Sequence, residues 1–385
     1  MKSMHVAMID PSLFTLPYDT YLCNGLVEAG VAITLYGRRL RRGEAIASPK
    51  FSFCPFFYSF SERLNGKGGV PRPLRNSFKL VEHISDTARL AVAINAAPPD
   101  LIHYQWMPAP LIDQLAIRQL KRRGIPVVMT VHDTTPFNDA PTSQGQNLGW
   151  KANLELFDCL IVHTEQSKTT LEQMGIRTAI ATVPHGVLSF GAAPTPVPRG
   201  GKLRLLFFGG IKPYKGLDVL LRAFAKLKQT HPAELRIVGN CPEGPAELES
   251  LIDSLGIRSS TRLECRFFDD AEIPEMLSEA DLVIFPYRRI DSSGALLTAL
   301  AYVKPFIASD VGIFRELMKD RSGLVPPGDV DALAAKLQEL VDEPSKIERL
   351  TNIALEARSE IPSWEQIGAL TASVYERVLR ERGAR

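Results

Sequence analysis

An alternation of short apolar runs with longer amphipathic stretches, repeated twice along the chain, most constrains how this sequence can fold. The apolar runs predict strands, and the amphipathic stretches between them predict helices. The predicted strands are His5–Ile9, Ala32–Tyr36, Leu101–Gln105, Pro126–Val131, Cys159–His163, Ile180–Val183, Leu203–Phe208, Glu234–Val238, Leu263–Phe267, Leu282–Phe285 and Pro305–Ser309. This order of elements indicates βαβ units and parallel sheets, and therefore an α/β fold.

A stretch rich in proline and glycine, Phe190–Gly201, separates the two series and predicts an interdomain linker. The chain has 385 residues, more than the roughly 250–300 at which a single hydrophobic core stops growing. We therefore predict two doubly wound parallel-sheet domains, residues 1–195 and 196–385. Ligands of such sheets bind outside the carboxyl ends of the strands, so a cleft between two facing sheets is the expected site.

The composition excludes several classes of protein. Apolar residues make up 45% of the chain and charged residues 23%, so a disordered chain is excluded. The net charge of +2 gives no argument for nucleic-acid binding. The five cysteines contain no C-x-x-C pair, so they indicate neither a disulfide framework nor a zinc site, and they fit a reducing, cytoplasmic compartment. The first apolar run is too short for a signal peptide, and no run reaches the ~18 residues of a membrane span.

The segment FFGGIKPYKGLDVLLRAF, which starts at Phe207, carries the most informative motif. A predicted strand leads into Gly209 and Gly210, then into a loop with Lys212 and Lys215, and then into a glycine that opens a helix. Glycines let the backbone approach a ligand closely, helix N-terminal amides attract anions, and lysines add positive charge. The segment therefore fits a phosphate or diphosphate, although an ordinary strand–loop–helix connection with surface lysines explains it equally well.

This segment and eight further motifs resemble the retaining nucleotide-sugar glycosyltransferases of family 4 (glycosyl transferases group 1). The second half adds LRIVGN, FFDDAEIPEMLSEADLVIFPY, SSGALLTALAYVKPFIASDVGIFREL and SGLVPPGDVDALAAKL; the first half matches more loosely through DLIHYQW, VVMTVHD, CLIVHTEQSK and VPHGV. The resemblance covers nearly the whole chain. It implies a GT-B fold, in which two Rossmann-like domains face each other across a cleft. The C-terminal domain is then expected to hold the sugar nucleotide and the N-terminal domain the acceptor, and a helix from about residue 365 is expected to pack back on the first domain.

The resemblance places Lys212 and Lys215 where the family has basic residues on the donor diphosphate. The commonest pattern there is glycine-arginine, which reads Gly209-Gly210 in this chain. We therefore expect Lys212 to replace the missing arginine, provided that its side chain points inward.

The resemblance also assigns residues to the nucleotide and the sugar. Many members carry two glutamates eight positions apart, and these positions align with Ile290 and Thr298. The Thr298 hydroxyl is then expected to contact the ribose, and Asp291 to supply the carboxylate near the sugar. The segment Ser292–Ala295 resembles a variant whose backbone amides face the diphosphate, although Asp291 and Ser292 also fit a helix N-cap cluster. Glu316 matches a carboxylate near the nucleotide or is an ordinary helix glutamate. The implied donor-binding residues are Gly209, Gly210, Lys212, Lys215, Ser293, Gly294, Ala295, Thr298 and Glu316.

Several histidines follow predicted strands of the first half. His132 ends an apolar strand in VVMTVHD, where a site facing the expected cleft explains it better than core packing. His103 and Gln105 end the preceding strand. Many relatives have histidine at the Gln105 position, and a glutamine can orient a sugar or acceptor but cannot transfer a proton. His163 and His185 fit turns and helix caps equally well.

The first strand-to-helix loop, DPSLFTLPYD from Asp10 to Asp19, lacks the paired glycines that relatives often have near the reacting centre. Either the acceptor reaches the site differently, or Ser12 and Tyr18 contact it directly. With Gln105, these two residues are the predicted acceptor contacts.

A basic segment, GRRLRRGE, precedes a stretch rich in phenylalanine at residues 51–60. Basic residues beside aromatic ones can dock on anionic lipid headgroups. Arg38, Arg39, Arg41 and Arg42 are therefore a candidate peripheral membrane surface. A solvated face beside a partly buried aromatic loop explains the pattern as well. No RNA-binding motif accompanies it, so nucleic acid is not expected as a partner.

These observations predict a cytoplasmic retaining glycosyltransferase that moves a hexose from a nucleoside diphosphate sugar to a lipid-linked, polysaccharide or oligosaccharide acceptor. The predicted catalytic residues are His132, Asp291 and Lys215. No cofactor or metal is expected, because the leaving phosphate can accept the proton of the acceptor. The D-x-D pattern at Asp329–Asp331 fits a helix cap better than a metal site. Two alternatives stay open: a GT-B nucleotide-sugar epimerase, which acts without an acceptor, and a sugar-nucleotide-binding protein without catalysis.

Overall fold

The computed structural model describes residues 3–64, 72–134, 149–192, 195, 201–227 and 233–383. The chain divides into two compact units, which we call unit 1 (Met1–Gly186 with Pro362–Arg385) and unit 2 (Val187–Ile361). The chain thus leaves unit 1 at Gly186 rather than near residue 195, and its C-terminal segment belongs to unit 1. Most of the predicted linker, residues 193–194 and 196–200, lies outside the described residues.

Unit 1 is built on a seven-stranded parallel sheet with the strand order β3-β2-β1-β4-β5-β6-β7. The strands are β1 His5–Asp10, β2 Ala32–Arg38, β3 Ser52–Phe57, β4 Leu101–Tyr104, β5 Val127–Thr130, β6 Cys159–Val162 and β7 Ile180–Thr182. Alternate residues of β1, β4, β5 and β6 face two separate apolar cores. A sheet buried on both faces explains why these strands read as continuous apolar runs. The sequence did not predict β3, which contains Pro55; an edge strand tolerates proline because one side of it needs no ladder hydrogen bonds.

The helices between these strands are α1 Leu16–Glu28, α2 Ser61–Leu64, α3 Arg72–Ala96, α4 Pro110–Arg122, α5 Trp150–Leu154 and α6 Glu165–Gln173. Pro110 starts α4, where its missing N–H costs no intrahelical hydrogen bond. Thr164 caps α6, because its side chain accepts a hydrogen bond from the Ser167 N–H at 3.0 Å.

Unit 2 contains a six-stranded parallel sheet with the order β10-β9-β8-β11-β12-β13. Its strands are β8 Leu203–Phe208, β9 Ala233–Gly239, β10 Thr261–Cys265, β11 Leu282–Phe285, β12 Phe306–Ser309 and β13 Leu324–Val325. Its helices are α7 Leu217–Ala225, α8 Ala246–Ser254, α9 Ile273–Glu279, α10 Gly294–Ala301, α11 Gly312–Leu317, α12 Val330–Asp342 and α13 Lys346–Glu360. The Asp329 side chain accepts from the Ala332 N–H at 2.9 Å and caps α12, and Asp331 pairs with Lys226. The D-x-D pattern is therefore a cap, as the sequence predicted.

Two cysteines of unit 2 correct a prediction from the sequence. Cys241 follows β9 and Cys265 ends the neighbouring β10, and the two form a disulfide with their Cα atoms 5.4 Å apart. Their separation of 24 residues gave no recognisable spacing motif. The pairing of β9 with β10 brings them together, and sequence spacing alone does not reveal it.

The last helix, α14 Trp364–Gly383, packs against α1 at two glycines. A Cβ on Gly368 would lie 2.1 Å from the backbone of Gly25, and a Cβ on Gly25 would lie 2.1 Å from the Trp364 carbonyl oxygen. No real Cβ atom approaches a backbone so closely, so the contact requires glycine on both helices. None of the helices in the described parts of the chain has both the length and the apolar composition of a membrane-spanning helix.

We predict that Gly368→Val lowers the free energy of unfolding by about 3 kcal/mol or more, because the added side chain must force α14 away from α1. Ala369→Val is the matched control, since Ala369 is the next residue of the same helix and is exposed. The control carries the same β-branched cost and should change stability by less than about 1 kcal/mol. Equal losses of urea stability in the two variants would contradict the close contact.

Candidate functional site

Both sheets reverse their strand order at their first strand, and ligands of doubly wound sheets bind where this happens. In unit 2 the reversal lies between β8 and β11, and in unit 1 it lies between β1 and β4. The segments that follow these four strands therefore hold the candidate sites of the two units.

In unit 2 the segment after β8, residues 209–216, brings a lysine back over the glycine that ends the strand. We call this segment the lysine loop. Gly209 has a φ of +108°, and a Cβ on it would lie 3.2 Å from Lys215 Nζ and 4.0 Å from Ala295 Cβ. Lys215 Nζ also lies 5.3 Å from the centre of the Tyr287 ring, a cation–π distance. The loop thus holds a positive charge beside the start of α10.

The start of α10 adds to this positive potential. The Ser293 side chain accepts from the Leu296 N–H at 3.2 Å and caps the helix, so the N-cap is Ser293 and not the predicted Asp291 or Ser292. Gly294 is exposed and Ala295 is half-buried, so the first turn lies close to the surface. Helix N-termini carry a partial positive charge and attract anions. Lys215 and the first turn of α10 together form a cationic corner that fits a diphosphate.

Thr298 is placed less favourably than the sequence predicted. Its side chain is buried, and its hydroxyl donates to the Gly294 carbonyl oxygen at 2.8 Å. The hydroxyl proton of Thr298 is therefore already engaged in a hydrogen bond within the helix. Contact with a ribose through this hydroxyl stays a prediction.

Other predicted donor residues lie around this corner. Gly210 is exposed, and Lys212 is exposed with its Nζ 5.9 Å from the centre of the Tyr214 ring. Glu316 is exposed on α11, whose Ile313 N–H donates to the Asp291 carbonyl oxygen at 3.2 Å. The structure therefore brings Lys215 over Gly209 and directs Lys212 toward Tyr214 instead.

Arg288, which the sequence analysis did not single out, supports the lysine loop. Its guanidinium donates to both carboxylate oxygens of Asp218 at 2.8 and 2.7 Å, and to the Pro213 carbonyl oxygen at 2.9 Å. Its backbone N–H donates to the Tyr214 carbonyl oxygen at 2.7 Å. Burial alone would raise the pKa of Asp218, but the hydrogen bonds from Arg288 outweigh it and hold the pKa below its usual value. Its sequence position, just after β11 at the reversal of the strand order, could have marked Arg288 as a residue of the candidate site.

Three histidines of unit 1 surround Tyr18, and a fourth, His103, lies beside them; we call the four the histidine cluster: His103, His132, His163 and His185. The Tyr18 ring centre lies 4.9 Å from that of His132, 5.2 Å from that of His163 and 4.7 Å from that of His185. His103 completes the group through hydrogen bonds to the Tyr375 hydroxyl at 2.6 Å and to Thr130 Oγ1 at 2.8 Å. In the part of the chain that is described, no three His, Cys, Asp or Glu side chains are arranged to hold a metal ion.

A hydrogen-bonded chain engages both ring nitrogens of His132. The Val183 carbonyl oxygen lies 3.1 Å from His163 Nδ1, His163 Nε2 lies 3.3 Å from His132 Nδ1, and His132 Nε2 lies 2.9 Å from Gln105 Oε1. The two terminal groups, the Val183 carbonyl oxygen and Gln105 Oε1, are both acceptors. The three hydrogen bonds therefore need three protons, and two neutral imidazoles carry only two. A half-turn of the Gln105 amide would place its NH2 group against His132 Nε2 and satisfy these three contacts with neutral rings, while the amide oxygen would replace the NH2 group that lies 2.9 Å from Met8 Sδ.

The pKa values of the cluster favour these neutral rings. Burial lowers the pKa of His103 to about 3, of His163 to about 4 and of His185 to about 3. Burial, together with the neighbouring histidines, also lowers the pKa of His132 well below its usual value. His132 is therefore neutral at pH 7 and is suited to orienting a ligand rather than to donating a proton. Its predicted place in the catalytic set stays a prediction.

The three predicted acceptor contacts are all buried. Ser12, Tyr18 and Gln105 expose 6%, 3% and 0% of their surface. The Ser12 carbonyl oxygen accepts from Arg38 Nε at 2.9 Å, and the Tyr18 ring lies in the middle of the histidine cluster. These side chains therefore support the site from beneath, and the structure does not favour direct contact with an acceptor.

Two aromatic residues that the sequence analysis missed lie at the surface of this site. The Phe14 side chain is 57% exposed, and its ring centre lies 5.6 Å from that of the half-buried Trp106. Trp106 stacks on His132 with ring centres 5.1 Å apart and planes 10° apart. Phe14 follows β1 and Trp106 follows β4, so both lie at the reversal of the strand order. An exposed aromatic pair there could have been noted from the same strand-end argument as His132.

Two buried carboxyl groups lie beneath the first loop. Asp10 accepts from the backbone N–H groups of Ser12 at 3.2 Å and Thr15 at 3.3 Å, and Thr15 Oγ1 lies 3.4 Å from Asp19 Oδ1. Burial raises the pKa of both aspartates, and the charge of Asp10 raises that of Asp19 further. The pair therefore retains a proton at a pH where two exposed aspartates would be ionised.

The predicted basic membrane surface is wrong in half of its residues. Arg38 is 2% exposed, and its guanidinium donates to both carboxylate oxygens of Glu44 at 2.6 Å. Arg41 is paired with both oxygens of Glu62 at 2.8 and 2.6 Å. Only Arg39 and Arg42 present exposed charges without an ion-pair partner among the described residues. Sequence alone does not show that acidic partners neutralise alternate arginines of this segment.

Comparison with known proteins relates both halves of the chain to one class of enzyme. Residues 202–343 match the family model described as glycosyl transferases group 1, and residues 20–187 match the one described as glycosyltransferase family 4. The chain is 31% identical over 189 residues to an MMP alpha-(1->4)-mannosyltransferase of Mycolicibacterium hassiacum, a match that spans 47% of this chain and 45% of that protein. It is 28% identical over 324 residues to a D-inositol 3-phosphate glycosyltransferase of Kineococcus radiotolerans, covering 74% of this chain and 73% of that protein.

Solved structures share the fold over nearly the whole chain. Sucrose-phosphate synthase from Thermosynechococcus elongatus superimposes with a TM-score of 0.77 at 18% identity, covering 98% of this chain and 100% of that one. An Anabaena protein in complex with UDP and glucose superimposes with a TM-score of 0.74 at 18% identity, covering 97% and 100%. These similarities and the two parallel sheets confirm the predicted GT-B fold of two Rossmann-like domains.

The lowered pKa values of the histidine cluster predict a loss of stability in acid. Below a pH of about 6.5 the histidines of the unfolded chain become protonated, whereas those of the folded cluster stay neutral. For each such histidine, the free energy of unfolding then falls by up to about 1.4 kcal/mol for every unit that the pH is lowered, until the pH reaches the pKa of that histidine in the folded chain. The raised pKa of Asp19 has the opposite effect on stability: as the pH falls from that pKa to about 3.9, proton uptake by the folded chain stabilises it. Comparing variants cancels this contribution, because all of them contain Asp19.

We therefore expect His103→Asn to flatten the dependence of unfolding free energy on pH between pH 6 and 4 by about 1.4 kcal/mol per pH unit. Tyr375→Phe is the control, because it removes the hydroxyl that contacts His103 and leaves the titrating imidazole in place. The control should lower stability at every pH and keep the slope. Urea denaturation at a series of pH values measures both quantities, and an unchanged slope in His103→Asn would refute the buried neutral imidazole.

Proposed function

Since the chain belongs to the group 1 glycosyltransferases of family 4, we propose that it transfers a hexose from a nucleoside diphosphate sugar to a saccharide or lipid-linked acceptor with retention of configuration. The observation that carries the proposal is the cationic corner of unit 2, where Lys215 Nζ lies over Gly209 beside the first turn of α10. A diphosphate needs positive charge and close backbone approach, and this corner offers both.

We propose that the reaction proceeds on one face of the sugar. The acceptor oxygen forms the new bond to the anomeric carbon on the side from which the diphosphate leaves, and the bond from that carbon to the phosphate oxygen breaks. The proton of the acceptor hydroxyl passes to the departing phosphate. Negative charge develops on that phosphate, and Lys215 with the amides of α10 stabilises it, so the scheme uses no metal ion or cofactor.

Two predicted catalytic residues would orient the sugar in this scheme. Asp291 is half-buried and follows β11 in the loop that leads to α10, which suits a carboxylate facing sugar hydroxyls. His132 is neutral and is held through both ring nitrogens by His163 and Gln105. Neither residue transfers a proton in the proposed reaction.

We propose further that the exposed ring of Phe14, with Trp106 behind it, forms part of the acceptor surface in place of Ser12 and Tyr18. An exposed aromatic ring provides a large apolar contact area for a ligand. The Trp106 Nε1–H donates to Thr15 Oγ1 at 3.1 Å, which fixes its ring. Phe14 is therefore free to contact a ligand while Trp106 holds its position.

Turnover with a panel of UDP-, GDP- and ADP-hexoses tests the proposed function. We expect one donor to release its nucleoside diphosphate, and the NMR spectrum of the product to show the anomeric configuration of the donor. Interconversion of the donor sugar without release would instead indicate an epimerase. Binding without any turnover would indicate a binding protein, and an inverted product would refute retention.

Lys215→Met should lower kcat/KM for the donor by about 10- to 100-fold, because a charge-assisted contact to the leaving group is lost. Lys212→Met is the matched control, since it removes the same charge from a side chain directed at Tyr214. We expect the control to lower kcat/KM by less than about threefold. Steady-state release of nucleoside diphosphate measures both variants, and equal effects would contradict the assignment of Lys215.

Phe14→Ala should raise the KM for the acceptor by about tenfold and leave the Kd of the donor unchanged, because one face of aromatic contact is lost. Phe267→Ala is the control, since Phe267 is a more exposed phenylalanine in unit 2. A raised donor Kd in Phe14→Ala, or an unchanged acceptor KM, would place the acceptor elsewhere.

A further inference from the structure

The inner face of helix α3 of unit 1 combines a buried polar network with Leu90 and Ile94, which pack in the apolar core. On its inner face His83 Nδ1 lies 2.8 Å from the Tyr58 hydroxyl, and His83 Nε2 lies 2.8 Å from Asp113 Oδ1 on α4. Asp86 on the same face accepts from the Tyr58 N–H at 2.8 Å. His83, Asp86 and Asp113 are each 2% exposed. This buried hydrogen-bond network fixes the rotation of α3 about its own axis, because breaking it would leave buried charges and donors unpaired.

The outer face of α3 is an apolar stripe. Val81, Ile84, Ala88 and Val92 follow the three- and four-residue spacing of one helix face, and all four are exposed. Val81 exposes 65% of its surface and Val92 exposes 67%. An amphipathic helix of a globular domain normally turns such a stripe toward the core. The polar network, together with Leu90 and Ile94 in the core, therefore leaves this apolar stripe on the solvent side of the helix.

Neighbouring elements extend this apolar surface. On α4 the exposed Leu111 and Leu115 are four residues apart on one face, and α4 is held against α3 by the contact between His83 and Asp113. At the other end, the exposed ring of Phe60 lies 6.3 Å from that of Phe78 on α3. We call the surface formed by these residues the α3–α4 face: Phe60, Phe78, Val81, Ile84, Ala88, Val92, Leu111 and Leu115. Unit 2 exposes only Phe267 and Leu355 among its described large apolar side chains.

Arginines border the α3–α4 face at its Phe60 end and along α4. Arg41 is paired with Glu62 on α2, and the Glu82 carboxylate on α3 accepts from the Phe60 and Ser61 N–H groups at 2.6 and 2.8 Å. These contacts place the loop that contains Arg39 and Arg42 at the Phe60 end of the face. Arg63, which follows Glu62 in the sequence, lies at the same end. On α4, Arg118 and Arg122 continue the line of Leu111 and Leu115 at the spacing of one helix face. These five arginines, Arg39, Arg42, Arg63, Arg118 and Arg122, are exposed and have no ion-pair partner among the described residues.

We infer that the α3–α4 face docks on the surface of an anionic lipid bilayer. An apolar helix face bordered by arginines matches the two layers of such a surface, with acyl chains below and negatively charged headgroups above. The same arginines argue against a contact with a second copy of this chain, since two such faces would bring like charges together. This inference is independent of the proposed function, because its test needs no sugar donor.

Sedimentation of the full chain with lipid vesicles tests the inference. The probe is vesicles with 30% phosphatidylglycerol in phosphatidylcholine, compared with vesicles of phosphatidylcholine alone. We expect binding to the anionic vesicles only, and a loss of binding in high salt, because exposed charges are screened. The double variant Val81→Ser/Val92→Ser should bind about tenfold more weakly. The double variant Arg39→Gln/Arg42→Gln should bind about 30-fold more weakly.

Matched controls remove equal numbers of similar side chains elsewhere. Phe267→Ser/Leu355→Ser removes two exposed apolar residues of unit 2, and Arg177→Gln/Arg222→Gln removes two exposed arginines outside the face. Circular dichroism and thermal unfolding establish that each variant is folded. The arginine pair tests the inference separately if the serine variant does not fold.

Three outcomes would overturn the inference. The first is that the wild-type chain binds neither kind of vesicle. The second is that the controls lose as much binding as the variants of the α3–α4 face. The third is that the wild-type chain forms a dimer that the serine variant abolishes, with no vesicle binding, in which case the face joins two copies of the chain.

Discussion

The return of Lys215 over Gly209 is the contact on which the candidate donor site depends. The positive φ of Gly209 opens the space, and a Cβ there would lie 3.2 Å from the lysine ammonium. Arg288 holds the loop from the other side through Asp218 and the backbone of residues 213 and 214. Both supports follow strands at the reversal of the sheet order, so the parallel pairing of β8 with β11 is what brings them together.

The candidate site in unit 1 is formed by buried neutral side chains, whereas that of unit 2 is formed by positive charge. The histidine cluster, Tyr18 and the pair Asp10–Asp19 are packed where their ionised forms are disfavoured. Such packing stabilises the loops after β1, β5 and β6 only while the groups stay neutral. The exposed part of this region is then apolar and aromatic, which differs in kind from the cationic corner of unit 2.

Sequence reasoning located the strand ends but not the directions of their side chains. The alternation of apolar runs correctly predicted two parallel sheets, and it placed Lys215 and His132 at carboxyl ends of strands. It could not show that Tyr18 and Gln105 are buried or that Arg38 turns inward to Glu44, because each depends on a partner outside the local pattern. The same holds for Cys241 with Cys265 and for Gly25 with Gly368, whose contacts depend on how whole strands and helices pair. The outward rotation of α3 is set by Asp113 and Tyr58, which are far from it in sequence.

The central claim is that the cationic corner of unit 2 recognises a diphosphate. Calorimetric titration of the wild-type chain with nucleoside diphosphates and with the corresponding monophosphates tests it most directly. The account predicts that one diphosphate binds at least about tenfold more tightly than its monophosphate, because a second phosphate adds charge-assisted contacts with Lys215 and the start of α10. Equal affinity for the two nucleotides, or no binding of either, would contradict it.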